Sequence, residues 1–154
     1  MTHRPTQIIS GGQTGADQGA LRAALDLGIS TGGVAPKGYK TETGPNQVLH
    51  YVYGLTEGPA GYAARTRANV RDSDATLILS VDEGSPGTIT TLMAATVEWR
   101  PVLLLSPWDD RAVERIREWL DRVKPRVLNV AGNRESVAPG IGEAVRRLLA
   151  EVLA

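Results

Sequence analysis

The 154-residue chain contains no cysteine and only two histidines. The lack of cysteine excludes structural disulfides, thiolate zinc sites and cysteine nucleophiles. His3 and His50 lie far apart in the sequence and show no metal-ligand spacing. The sequence also shows no Ser/His/Asp set and no paired His-Glu metal motif. We therefore expect no metal held by protein ligands, and these patterns favour a binding protein over a catalyst.

The chain also lacks net charge, because 17 basic residues balance 17 acidic ones. No global field would draw such a protein to nucleic acid or to an anionic membrane. No apolar run approaches the length of a membrane span, and residues 1–5 lack the apolar core of a signal peptide. With 42% hydrophobic and 22% charged residues, residues 1–154 are expected to form one cytoplasmic, globular, ligand-binding domain.

Apolar runs alternate with helical patterns along the whole chain. The runs predicted as strands are 7–10, 33–35, 75–81, 102–105 and 126–130. The helical patterns are 17–27, 61–71 (with Pro59 as a suitable start), 89–98, a stretch after Asp109 and Asp110, and a final stretch from Ile141. This alternation predicts an α/β fold, a three-layer, Rossmann-like, doubly wound parallel sheet of about five strands. Segment 36–58 shows no clean period and is predicted as a long loop, with an edge strand at 48–55.

A glycine-rich turn, SGGQTGAD at 10–17, separates the first strand from the first helix. Such a turn directs unpaired backbone N–H groups and the positive end of the helix towards an anion. The residues predicted to contact a phosphate here are Gly11, Gly12, Gln13, Thr14, Gly15 and Asp17. Asp17 is also a candidate helix cap, and a tight turn with nothing bound is the alternative interpretation. Gly19 is predicted to let the helix pack closely on the sheet.

A second glycine-rich turn repeats this pattern before the helix at 89–98. Its predicted ligand-binding residues are Gly84, Ser85, Gly87 and Thr88, although a Gly-Ser-Pro-Gly loop is also ordinary turn chemistry. The carboxyl ends of parallel strands meet at one edge of a sheet, so other loops should join these two turns. The residues that we expect there are Pro36, Lys37, Gly38, Arg134, Glu135 and Ser136. Arg134 suits a phosphate, whereas Glu135 and Ser136 either contact the ligand or cap the final helix.

Arg65 and Asn69 are one helical turn apart and share a face of the predicted helix at 61–71. Arg65 lies nearer the amino-terminal end of that helix and is predicted to bind an anion. Asn69 either contacts the ligand or is a buried amide that ties the helix to the turn at 72–74. Glu83 and Glu135 form the one acid pair expected near the cleft.

Several motifs together resemble the putative molybdenum carrier family. They are ISGGQTGADQGAL (9–21), PKG (36–38) with Glu42, RT (65–66), NVRDSD (69–74), NVAG (129–132), RES (134–136) and PG (139–140). The match covers nearly the whole chain, and the family belongs to a Rossmann-like group that includes LOG-type, lysine-decarboxylase-like phosphoribohydrolases. The resemblance implies a pterin-phosphate or nucleotide ligand, with molybdenum cofactor as the named candidate. It also implies a homo-oligomer, either a dimer or a tetramer.

The LOG-type enzymes carry the pattern Pro-Gly-Gly-x-Gly-Thr-x-x-Glu. Gly87 and Thr88 match its Gly-Thr pair, but Thr91 stands at the position of the catalytic glutamate. A threonine supplies neither a carboxylate base nor a charge for a developing ribosyl cation. A carrier protein is therefore the leading hypothesis. A nucleotide-processing hydrolase that uses Glu83 or Glu135 is the alternative, and a nucleotide-sensing module is a third.

Overall fold

The computed structural model describes residues 1–58 and 61–154. Its strands are β1 (Gln7–Ile9), β2 (Ser30–Gly32), β3 (Val34–Ala35), β4 (Lys40–Thr41), β5 (Gly44–Pro45), β6 (Thr56–Glu57), β7 (Ala75–Leu79), β8 (Val102–Leu105) and β9 (Val127–Gly132). Its α-helices are α1 (Ala16–Asp26), α2 (Val48–Tyr51), α3 (Tyr62–Arg71), α4 (Pro86–Val97), α5 (Ala112–Val123) and α6 (Ile141–Leu153). A short 3-10 helix covers Lys37–Tyr39. The predicted helix start at Pro59 lies outside the described residues.

The central sheet has five strands, all parallel, in the order β2-β1-β9-β7-β8. α1 and α5 pack against α6 over the main hydrophobic core, while α3 packs against α4. β7 is buried along its whole length, as expected for an unbroken apolar run at the centre of a parallel sheet. These features confirm the predicted Rossmann-like α/β fold. Within the described residues, no helix is both long and apolar enough to cross a membrane.

β9 lies in the middle of the sheet although it is the last strand of the chain. If β9 and α6 were moved to the beginning of the chain, the strand order would read 3-2-1-4-5, as in a dinucleotide-binding half-domain. The sheet is therefore a circular permutation of that arrangement. As a result, the loop after β9 lies between the turns that follow β1 and β7.

The second strand begins earlier than predicted. β2 covers Ser30–Gly32, and Gly33 breaks the strand with a φ of +125°. A Cβ at Gly33 would lie 2.9 Å from the backbone nitrogen of Ser10, so the chain leaves the sheet where only glycine fits. The next residues, Val34–Ala35, instead pair with β6 in a separate two-stranded parallel ladder.

The predicted edge strand at 48–55 is wrong. Its first half is the helix α2, and the extended residues come later, at Thr56–Glu57. Only Leu49 and Leu55 of this stretch are fully buried, and they pack with Leu21 and Tyr39 in a small second core. A one-turn helix with a single buried residue leaves no helical period for a sequence pattern to show.

Gly19 explains how closely α1 and α6 pack. A Cβ at Gly19 would lie 3.0 Å from the carbonyl carbon of Gly142, so Gly19 makes room for α6 and not, as predicted, for the sheet.

Gly28 ends α1 as expected, with a φ of +70° and its N–H donated to the carbonyl of Leu25.

α4 begins at Pro86, earlier than predicted, with Ser85 as its N-cap. Its buried residues are small: Thr88, Thr91, Ala94 and Ala95. Two of its large apolar residues, Ile89 and Met93, are exposed. The side of α4 that carries small residues therefore faces the interior, and the side that carries large apolar residues faces outward.

Candidate functional site

A cleft of about 440 Å³ opens between α3, α4 and the turns that follow β1 and β9. The predicted site residues that line it are Gly11, Gln13, Asp17, Arg65, Asn69, Ser85, Gly87, Thr88 and Arg134. Residues from the first turns of both α3 and α4 contribute, so the positive ends of two helix dipoles lie at the cleft. This is the edge of an open α/β sheet where ligands bind.

The turn after β1 holds a carboxylate of its own, that of Asp17. The Gln13 N–H donates to Asp17 Oδ2 over 3.1 Å, and Arg65 Nη1 donates to the same oxygen over 3.3 Å. Asp17 is only 4% exposed, and this burial raises its pKa, against the opposing effects of the Arg65 charge and the Gln13 N–H. The carboxylate therefore occupies the position at the start of α1 where a phosphate was predicted.

The neighbouring backbone N–H groups of this turn also have partners inside the protein. The N–H of Gly12 donates to Ser10 Oγ over 3.1 Å, and that of Thr14 donates to Gln13 Oε1 over 3.0 Å. Gly11 has a different role, because a Cβ there would overlap the guanidinium of Arg65. The glycine turn thus accommodates the Asp17–Arg65 pair, and phosphate contact at Gly12 and Thr14 stays a prediction.

Glu42 joins the turns that follow β1 and β9. Its carboxylate accepts hydrogen bonds from the hydroxyls of Thr14 and Ser136 and from the Ser136 N–H, the last over 3.1 Å. These bonds, those from Ser136 foremost, lower the pKa of Glu42. Thr14 Oγ1 also accepts the N–H of Glu135 over 3.2 Å. Thr14 and Ser136 therefore connect loops and do not line the cleft.

Glu135 takes the capping role that was one of its two predicted alternatives. Its carboxylate accepts the N–H groups of Gly140 and Gly142 at the start of α6. It does not line the cleft, and neither does Glu83, so the expected acid pair is absent there. Of the carboxylates in residues 1–58 and 61–154, only that of Asp17 lines the cleft.

The remaining predicted residues lie outside the cleft lining. Gly15, with a φ of +81°, packs against the backbone of the loop after β9. The 3-10 turn after Pro36, which contains Lys37, is held by the Gly38 N–H, which donates to Glu57 Oε1 over 2.8 Å. The N–H of Gly84 donates to Asp82 Oδ1 over 3.0 Å.

Asn69 lines the cleft but uses its amide for structure. Its Oδ1 accepts the Val34 N–H over 2.8 Å, and its Nδ2 donates to the Val34 carbonyl over 3.0 Å. The amide thus ties α3 to β3, and not to the turn at 72–74. Both hydrogen-bonding groups of this amide are occupied before any ligand arrives.

The cleft-lining residues that were not predicted include Tyr62, Asn129 and Asn133. Asn129 is buried in β9 and donates to Thr76 Oγ1 over 3.2 Å, whereas Asn133 Oδ1 accepts the Val81 N–H over 2.8 Å. An asparagine within or directly after an apolar strand is a sequence signal that could have identified these two residues, because a buried amide needs hydrogen-bond partners. Tyr62 carries no such signal.

Thr91 lies in the wall of the cleft, buried, with its hydroxyl donated to the Gly87 carbonyl over 2.9 Å. The position of the LOG-type glutamate thus faces the cleft but carries no charge. The Ser85 hydroxyl donates to Thr88 Oγ1 over 2.7 Å, and the Thr88 hydroxyl donates to Ser80 Oγ over 3.2 Å. Nowhere in the described chain do three or more His, Asp or Glu side chains form a group able to hold a metal ion.

Comparison with known proteins places these features in a family. The model of the circularly permutated YpsA SLOG family matches residues 8–153. The crystal structure of a putative molybdenum carrier protein from Syntrophus aciditrophicus SB superposes with a TM-score of 0.91. The two sequences are 37% identical, and the match covers 100% of this chain and 98% of that one. No curated protein matches the chain. The permuted strand order of the sheet agrees with the description of the family.

Proposed function

The chain belongs to the circularly permutated YpsA SLOG family, and we propose that it is a carrier protein for a phosphorylated ligand, with molybdenum cofactor as the first candidate cargo. The name of the solved relative, a putative molybdenum carrier protein, supports the choice of cargo. The cleft between α3 and α4 supports the choice of site, because its volume of about 440 Å³ suits a small molecule.

The observation that carries the proposal is a pair of hydrogen-bond donors at one end of the cleft that are available to a ligand. Among the described residues, the N–H of Gly87 in the first turn of α4 has no partner, and a Cβ there would meet no atom within 4 Å. Arg134 also lines the cleft and is exposed; its charge helps to lower the pKa of Glu42, but it forms no direct ion pair in residues 1–58 and 61–154. An open helix N-terminus beside an arginine is a suitable site for a phosphate. Arg65, by contrast, is already paired with Asp17.

Replacing Arg134 by glutamine tests this assignment. We expect wild-type protein to bind molybdopterin or a nucleotide monophosphate with a Kd below about 1 mM, and R134Q to bind it about tenfold more weakly, because a charge-assisted hydrogen bond is lost. Isothermal titration under anaerobic conditions measures both values. R147Q is the matched control, since Arg147 is an exposed arginine of α6 outside this cleft. A wild-type protein that binds none of these ligands contradicts the proposal.

We further propose that the protein is a homodimer formed through α4. The helix contains no charged residue from Pro86 to Val97, and Ile89, Met93 and Val97 are 44%, 63% and 74% exposed. A helix without a polar face is normally buried on all sides. The three exposed residues form an i, i+4, i+8 ridge on the side of α4 that faces outward. An exposed apolar ridge of this kind suits a second copy of the same helix across a two-fold axis.

Placing a charge in this ridge should prevent assembly. We expect wild-type protein to sediment as a dimer and M93E as a monomer, because a glutamate at the centre of the contact would be buried opposite its symmetry mate. Analytical ultracentrifugation measures the change, and circular dichroism checks that the fold is retained. L25E is the control, since Leu25 is an exposed leucine on α1, away from α4. A monomeric wild type, or M93E that remains dimeric, contradicts the proposal.

A further inference from the structure

The Asp17–Arg65 pair has more hydrogen-bonding capacity than the protein uses. Both side chains are largely buried, 5% and 12% exposed, yet a single contact of 3.3 Å joins them. Among the described residues, Arg65 Nε is buried without a partner, and Asp17 Oδ1 accepts no hydrogen bond. Burying two charges is costly unless their remaining donors and acceptors are also satisfied. As a purely structural ion pair this arrangement is incomplete.

Both members of the pair line the cleft, and so does the ring of Tyr62. The Arg65 guanidinium carbon lies 5.5 Å from the centre of that ring. One wall of the cleft thus combines an acceptor, a donor and an aromatic surface. The guanidinium lies over the ring, and this cation–π contact helps to hold the arginine in the wall of the cleft.

The charge of Asp17 decides which part of a ligand can lie here. A phosphate beside the carboxylate would face a like charge in a partly buried site, where charges are poorly screened. A neutral group with N–H donors would instead satisfy the free carboxylate oxygen. The phosphate is better placed at the other end of the cleft, near Gly87 and Arg134.

We propose that Asp17 and Arg65 recognise the amide edge of a guanine-type ring, which pterins share in their 2-amino-4-oxopyrimidine part. This inference rests on the proposed function and adds the orientation of the ligand. Asp17 Oδ1 accepts a ring N–H, and the Arg65 guanidinium, held over the Tyr62 ring, donates to the neighbouring ring carbonyl. The glycine turn after β1 thus serves ring recognition and not phosphate binding.

Binding of three probes to wild-type protein and to Asp17→Asn tests the proposal: GMP, its N1-methyl derivative and ribose 5-phosphate. We expect D17N to bind GMP at least tenfold more weakly than wild type does, with ribose 5-phosphate unaffected. Asp17→Asn nearly preserves the shape of the side chain but removes its charge. Asp26→Asn is the matched control, because Asp26 of α1 is also paired with an arginine, Arg146 of α6, but lies outside the cleft.

The N1-methyl derivative keeps the test valid if D17N does not fold. We expect wild-type protein to bind it at least tenfold more weakly than GMP, since the methyl group replaces the ring N–H. Equal binding of the two, or D17N that binds GMP as wild type does, overturns the inference. Ribose 5-phosphate bound as tightly as GMP also overturns it and leaves the proposed function standing. If wild type binds neither GMP nor molybdopterin, the proposed function itself fails.

Discussion

Replacing Arg65 by methionine is expected to lower the free energy of unfolding by about 3–5 kcal/mol at pH 7, the usual cost of leaving one partner of a buried ion pair alone. Asp17 would keep the Gln13 N–H as a hydrogen-bond donor but lose the only cation paired with it in the described structure. Methionine retains much of the aliphatic volume of arginine, so the loss reports mainly on charge. Urea unfolding followed by circular dichroism measures it.

The loss in R65M should depend on pH in a defined direction. Burial already raises the pKa of Asp17, and Arg65 opposes that rise, so R65M should raise the pKa further. A carboxyl whose folded pKa exceeds its unfolded value binds an extra proton in the native state between the two values. The free energy of unfolding of such a protein therefore falls as pH rises between the two pKa values. We expect R65M to regain stability as pH is lowered from 7 towards the unfolded pKa of about 4.

A matched surface pair provides the control for R65M. Arg146 and Asp26 form an exposed ion pair at 2.7 Å, so R146M should leave the urea midpoint almost unchanged. The double variant D17N/R65M should recover a large part of the stability lost in R65M, because the unpaired charge is removed. If R65M is no less stable than R146M, or its loss is the same at pH 5 and pH 7, Asp17 is not the cause.

The sequence predicts the layers of this fold better than their arrangement. The apolar runs of β7 and β9 and the stripes of α1, α5 and α6 follow directly from periodicity. The place of β9 between β1 and β7 does not, because strand order depends on pairing between distant segments that no local pattern records. The prediction of an edge strand in segment 36–58 was wrong for a different reason. The small core of this segment depends on a few scattered residues such as Leu49 and Leu55, which form no recognisable pattern.

The candidate site shows the same division. Both glycine-rich turns and Arg65 were correctly expected at one edge of the sheet, since parallel strands place their carboxyl ends together. The partners of these residues could not be predicted from local pattern. Asp17 and Arg65 are 48 positions apart, and Thr14 and Glu42 are 28 positions apart. These contacts determine that the first turn holds an internal carboxylate, a distinction that the turn sequence alone does not make.

Replacing Gly15 by alanine is expected to destabilise the protein by about 3–5 kcal/mol, the sum of backbone strain and overpacking. Gly15 has a φ of +81° and a ψ of −127°, a conformation that residues with a Cβ rarely adopt. The new methyl group would also lie 2.5 Å from the Asn133 carbonyl oxygen and 2.6 Å from the Glu135 nitrogen. Both neighbours are backbone atoms, so the turns after β1 and β9 must separate. Urea unfolding measures the loss.

Gly140→Ala separates the two contributions to this loss. Gly140 also has a positive φ, +90°, but a Cβ there would meet no atom of the described chain within 4 Å. Only backbone strain applies to Gly140→Ala, and we expect its free energy of unfolding to fall by about 1–2 kcal/mol. The excess in G15A then measures how tightly the two turns pack, and it should be accompanied by weaker binding in the cleft, because Asp17 and Arg134 lie on these two turns. If G15A loses no more stability than G140A, the two turns are not held in close contact.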